Sequence, residues 1–216
     1  MNIASDFIPQ SLEGPLVRLE PYAMHLKEEV RAAIDCDPDT WALLPMNAQG
    51  FAFEDYWAAT CNASPSERVV YAIRCCCDGV VAGTSTYYIM PSGYPGICIQ
   101  IGTTFIRPSM RGGYVNPATK KLMLAHAFEA GFGRVEFRVD ARNHRSQAAM
   151  KKLGAVQEGV LRCDLRTWTG HVRNTVIFSI LKQEWPQVCS QLDARLAKHI
   201  GPPSSLRSDR KSEASS

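Results

Sequence analysis

Three short segments of this chain carry the residue types from which chemistry could be built. Arg111-Gly112-Gly113-Tyr114-Val115-Asn116 is a glycine turn that runs directly into an amphipathic segment. A turn at a helix start offers free backbone N–H groups and the positive end of the helix dipole, which together suit a phosphate. Asn143-His144-Arg145-Ser146 is the second, with an asparagine and a serine at the spacing of a helix cap and its third position. Gln100-Ile101-Gly102 is the third. A neutral amide takes no proton from an ammonium group at neutral pH, so Gln100 suits the orientation of a water and not the work of a base. Asp140, Glu54 and His126 are further candidate bases, and nothing in the sequence selects one of them.

These segments need elements to hold them. The run 97–106 reads as a strand, and 117–131 as the helix after the turn. Asn116 is the expected N-cap, with Pro117 at the first helical position, where a missing N–H costs nothing. Ala118, Leu122, Ala125 and Phe128 recur at helical spacing, and Met123 and Ala127 widen that face. Lys120, Lys121 and Glu129 are expected to fall away from it. Residues 134–140 alternate as a strand should, and a helix over 144–153 closes on Gly154, with Lys151 and Lys152 in its last turn.

Elsewhere, strands are expected at 16–20, 69–76, 80–88, 156–165 and 172–181, and helices at 23–35, 54–62 and 184–199. Asp78-Gly79 marks a hairpin turn, and 90–96 is a loop rich in proline and glycine. The order of elements predicts one mixed α/β domain over 16–200, after a loose lead-in over 1–15 and before a serine-rich, disordered tail over 201–216.

The pattern resembles the GCN5-related N-acetyltransferases. RGGYVN is similar to their pyrophosphate loop, and DARNHRSQAAMKKLGAVQEGVLR resembles the branch that includes the ribosomal-protein N-terminal acetyltransferases. The resemblance covers roughly 16–192. It implies a mostly antiparallel, splayed central sheet flanked by helices, with acetyl-CoA as cosubstrate and an amine as acceptor, either a protein N-terminus or a small molecule. It places the pyrophosphate on Arg111, Gly112, Gly113, Tyr114, Val115 and Asn116, and the thioester carbonyl near backbone N–H groups of Phe105 and Ile106. It sets Asn143 on the pantetheine arm and Ser146 near the sulfur, where the serine could protonate the thiolate. Gln100 stands where relatives often carry glutamate, and Tyr114 where they usually carry glycine. These two departures leave open a second class, a module that binds coenzyme A without efficient catalysis. The resemblance also makes Trp41, Phe51, Phe53, Tyr56 and Trp57 candidate lining for the acceptor pocket.

Composition excludes several alternatives. The 216 residues are 45% hydrophobic and 21% charged, with a net charge of +3, ordinary values for a globular domain. No basic stripe interleaved with aromatics points to nucleic acid, and no apolar run is long enough to span a membrane. The N-terminus has no signal-peptide pattern, so a cytoplasmic protein is expected, and a homodimer is compatible with the sequence. The eight cysteines have no zinc-site spacing and read as reduced thiols, so no metal is expected. RGGYVN has neither dinucleotide nor nucleoside triphosphate loop spacing. No Ser–His–Asp pattern or motif-flanked cysteine occurs, which favours direct transfer over a covalent relay.

Overall fold

A computed structural model describes Phe7, residues 9–90 and residues 98–200. Residues 91–97, which hold all but the first residue of the loop expected at 90–96, the first six residues and the tail over 201–216 lie outside the described residues. Eight strands form one sheet: β1 (Leu12–Glu13), β2 (Val17–Pro21), β3 (Arg68–Cys75), β4 (Val81–Ile89), β5 (Cys98–Ile106), β6 (Arg134–Asp140), β7 (Val156–Arg166) and β8 (Val172–Leu181). Their order is β1-β2-β3-β4-β5-β6-β8-β7. Every neighbouring pair is antiparallel except β5 and β6, which run parallel. The helices are α1 (Lys27–Ile34), α2 (Pro38–Trp41), α3 (Phe53–Cys61), α4 (Val115–Glu129), α5 (His144–Leu153) and α6 (Trp185–Leu196). The sheet starts at Leu12, upstream of the expected first strand, and Phe7 is buried against Tyr87 and Phe132.

The two faces of the sheet carry separate apolar layers. One joins Ile99, Ile101, Ile106, Val135, Phe137 and Val139 to α4, α5 and α6. The other joins Ala72, Val81 and Phe105 to α1 and α3 through Trp41, Phe53 and Trp57. Met24, within the expected first helix, is exposed. Asp37, just past the expected first helix, caps α2, accepting from the Thr40 hydroxyl at 2.6 Å.

α4 begins two residues earlier than its sequence suggests. Tyr114 is at the N-cap, no side chain among the described residues caps the helix, and Asn116 and Pro117 lie within its first turn. Pro117 still costs no hydrogen bond there, because first-turn N–H groups have no intrahelical partner. The buried face is also rotated. Lys120, expected to face outward, is buried with Met123, Leu124 and Ala127, while Leu122 and Ala125 are only partly covered.

Two features of β5 shape the cleft beside it. Thr84 pairs with Phe105 and Thr86 with Gly102, so Thr103 and Thr104 lie opposite Ser85 alone. This is a β-bulge, and the extra residue moves everything after it to the other face. Ile101 and Ile106 thereby share a face although five residues apart, and Phe105 falls on the opposite one. Thr103 takes the unusual φ of +43° at the bulge, with its hydroxyl 2.5 Å from that of Tyr88. Nearby, β4 approaches so closely that a Cβ on Gly83 would lie 2.0 Å from the Phe105 carbonyl oxygen. Only glycine fits there.

Candidate active site

β5 and β6 are joined at three positions, Cys98↔Arg134, Ile99↔Val135 and Gln100↔Glu136. Beyond Gln100, β5 continues along β4 to Ile106 and β6 continues along β8 to Asp140, with nothing pairing them to each other. The two strands splay, and a cleft opens between them. Its walls are Ile101–Thr104 and Ile106 on β5, and Phe137–Asp140 on β6. Arg111, Gly112, Asn116 and Lys120 close it from the α4 side, with Asn143, Arg145, Ser146, Ala149 and Met150 facing them from the α5 side.

The helix starts at the mouth are built differently. α5 is capped by Asn143, whose Oδ1 accepts from the Ser146 N–H at 3.0 Å, and it closes on left-handed Gly154. Capping consumes the amide oxygen and leaves the Asn143 amide N–H groups available. At α4 the first-turn N–H groups have no side-chain partner among the described residues. Gly112, not Gly113, adopts the positive φ of this turn, and a Cβ on either glycine would meet nothing within 4 Å. The two glycines are uncrowded among the described residues, and a helix start with free N–H groups is the kind of place that binds phosphate.

Tyr114 does not intrude on that space. Its φ of −85° is ordinary helical backbone, so the position needs no glycine. Its hydroxyl lies 3.2 Å from Cys77 Sγ and its ring packs against His199, outside the cleft lining. Arg111 lines the cleft, but its guanidinium is held by Asp37 and by Thr40 Oγ1 at 3.3 Å, and its Nε donates to the Ile106 carbonyl at 2.7 Å. Burial works to raise the Asp37 carboxyl, but Thr40 and Arg111 together hold it below the usual carboxylate range.

Of the residues singled out from the sequence, Ile106, Arg111, Gly112, Asn116, Asn143 and Ser146 meet in this cleft, and Phe105, Gly113, Tyr114, Val115 and Gln100 do not line it. The Phe105 ring is buried against Trp41 at 5.5 Å. Because the Arg107 N–H donates to Ala82 on β4, strand alternation points the Phe105 N–H the same way and the Ile106 N–H toward the cleft. Trp41, Phe53 and Trp57 are buried core, and Phe51 is fully exposed. Tyr56 is bonded to the Tyr22 hydroxyl at 3.3 Å.

The candidate bases separate clearly. Glu54 lies on the surface with Lys27 and Arg31, and His126 packs against Phe7 and Tyr87, outside the cleft. Asp140 lines the cleft, and burial favours its protonation. Arg142, bonded to it at 2.8 Å through both side chain and backbone N–H, nonetheless holds it below the usual range. Three cations that the sequence did not single out, Arg138, Arg173 and Lys120, also line the cleft. Arg173 is 3% exposed and makes no ion pair among the described residues, and Lys120 is 2% exposed. Lys120 had a legible signal: it precedes Met123, Leu124 and Ala127 by three, four and seven residues, the spacing of one helix face. Among the described residues no cluster of metal-ligating side chains occurs, and no helix is long and apolar enough to cross a membrane.

Residues 17–156 match the family model of the acetyltransferase (GNAT) domain. No curated protein sequence matches the chain. A predicted acetyltransferase from T. thermophilus superposes with a TM-score of 0.76 at 34% identity, over 88% of this chain and 98% of that one. A GCN5-related N-acetyltransferase from Brucella melitensis gives a TM-score of 0.77 at 24% identity, over 88% of this chain and 86% of its own. Mycobacterium smegmatis RimJ, solved in complex with CoA-disulfide, gives 0.71 at 23% identity, over 86% of this chain and 92% of that one. At those last two identities the likeness is one of fold.

Proposed function

Because this chain belongs to the GNAT acetyltransferase family, we propose that it transfers an acetyl group from acetyl-CoA, as substrate, directly to a primary amine. The acceptor is a protein N-terminus or a small-molecule amine. The observation that carries this reading is the splay of β5 from β6 beyond Gln100, with uncapped N–H groups of α4 at its mouth.

Holding the cosubstrate and polarising its carbonyl are the two requirements these residues are suited to meet. The backbone from Gly112 to Asn116 receives the pyrophosphate at the helix start. The unpaired inner edge of β5 offers sheet-like bonds to the pantetheine arm, and the Ile106 N–H faces the cleft to polarise the thioester carbonyl. The free amide N–H groups of Asn143 bind the arm, and the Ser146 hydroxyl stands beside them. Gln100, at the closed end of the splay, is a neutral amide and orients groups without taking a proton. The position of Tyr114, outside the cleft, removes one of the two reasons to expect binding without turnover. A cytoplasmic location goes with this reading.

The test is calorimetric titration with acetyl-CoA and, separately, with coenzyme A, followed by a mass-read screen of peptides and small amines. One saturable site per chain and a 42-dalton gain on an amine support the reading. No heat at millimolar acetyl-CoA overturns it.

A further inference from the structure

We propose that Lys120 is the catalytic base of the transfer, taking a proton from the incoming ammonium group and returning it to the departing thiolate. The proposal rests on the reading of the cleft as an acetyl-CoA site and adds the group that moves the proton.

Lys120 reaches from the second turn of α4 to the cleft wall and is 2% exposed. Its Nζ lies 2.6 Å from Thr104 Oγ1 on β5 and 3.2 Å from Ser85 Oγ on β4. Those two hydroxyls are 2.8 Å from each other, and the Phe137 ring on β6 lies 6.0 Å away. The bulge in β5 builds this seat, because it turns Thr104 to the α4 face and sets it opposite Ser85. Lys120 makes no ion pair among the described residues. The charged groups that share the cleft are Arg111, Arg138, Arg145 and Arg173, all cations, and Asp140, which is taken by Arg142.

An ammonium group buried among hydroxyls and an aromatic ring has lost its water without gaining an anion. Burial alone pushes Lys120 down to about 7. Its neutral form has two N–H donors, enough for Ser85 and Thr104, and keeps one lone pair to accept a proton. The other ionisable groups lining the cleft are poor proton carriers near neutral pH. The four guanidiniums stay protonated, and Asp140 is held as a carboxylate by Arg142. Lys120 alone among them cycles a proton in the range where a general base works best.

The step balances. The acceptor ammonium gives one proton to Lys120, and the freed pair forms the N–C bond to the thioester carbonyl. The C–S bond breaks, the nitrogen releases its second proton to water, and Lys120 protonates the thiolate. Amide, thiol and one free proton result, and Lys120 is neutral again.

The experiment compares wild type with Lys120→Met and uses a pool of synthetic peptides with free N-termini as acceptor, at pH values from 6 to 9. In the same buffers, wild type labelled at the lysine side-chain carbons is titrated by NMR, with Lys120→Met assigning the signal. One lysine titrating near 7 is expected, together with a loss of about a hundredfold in wild-type turnover at pH 7 in the variant. Acetyl-CoA affinity should stay within threefold. Ordinary titration of every lysine, near 10.4, overturns the proposal even if no peptide is turned over. A Lys120→Met enzyme with the wild-type rate and pH profile also overturns it. Wild type that binds no acetyl-CoA fails for a different reason, by removing the transferase reading beneath it.

Discussion

Gln100 on β5 lies directly opposite Glu136 on β6, and theirs is the last rung joining these two parallel strands. The cleft begins where that rung ends. Glu136 is also bonded to Arg134 and Arg138, which fixes the closed end of the splay in a charge network.

Restoring a carboxylate at position 100 therefore sets two acids side by side. Like charges on neighbouring strands destabilise by about 0.5 kcal/mol. Repulsion from Glu136 raises the new carboxyl at position 100 in the folded state. That cost is then absent below the ordinary carboxylate range, about 4, and appears as pH rises above it. Gln100→Glu should melt earlier than wild type at pH 7 and together with it at pH 3, and should transfer acetyl no faster. Thermal melts at the two pH values and one rate assay check this.

Asn143 has two tasks that substitution can separate. Asn143→Ala removes the cap of α5 and should cost about 1 kcal/mol in denaturant unfolding. Asn143→Ser keeps a capping oxygen but loses the amide N–H groups. It should fold like wild type while its acetyl-CoA dissociation constant rises about tenfold, as loss of one good hydrogen bond implies. Unchanged affinity in the serine variant would assign Asn143 to capping alone.

Gly83 holds β4 against the bulged strand. A methyl group there meets the Phe105 carbonyl oxygen, which is backbone and has nowhere to move. Gly83→Ala should lose about 3 kcal/mol or more, measured by urea unfolding, whereas Gly113→Ala meets open space and should stay near wild type.

Tyr114 tests whether the phosphate loop is whole. Its side chain packs against Cys77 and His199 and does not line the cleft. Tyr114→Gly should lower the melting temperature through lost packing and leave the acetyl-CoA dissociation constant within threefold of wild type. A gain of tenfold in affinity would show that the tyrosine obstructs the loop.

The legible parts of this fold are those set by local rules. Strand alternation gives Arg134–Asp140, and an asparagine cap with a glycine stop gives His144–Leu153, both at the bounds observed. The GNAT family and its fold came instead from the resemblance carried by RGGYVN and DARNHRSQAAMKKLGAVQEGVLR. What escaped reading depends on partners distant in the chain. The bulge that turns Thr104 toward Lys120 is a mismatch between β4 and β5, and neither strand announces it alone. Lys120 looks like a surface residue by type although its spacing places it on the buried face. Trp41, Phe53 and Trp57 have the composition of a binding pocket and the contacts of a core, because α1 and α3 need an apolar layer to sit on the sheet.

The central claim is that acetyl-CoA seats in the splay between β5 and β6, and hydrogen exchange of the wild-type protein with and without saturating acetyl-CoA tests it most directly. We predict slowed exchange at the unpaired edge of β5, Thr104 and Ile106, and at the uncapped start of α4, Gly113 to Asn116. Protection confined to other segments, or none at saturation, would contradict the account.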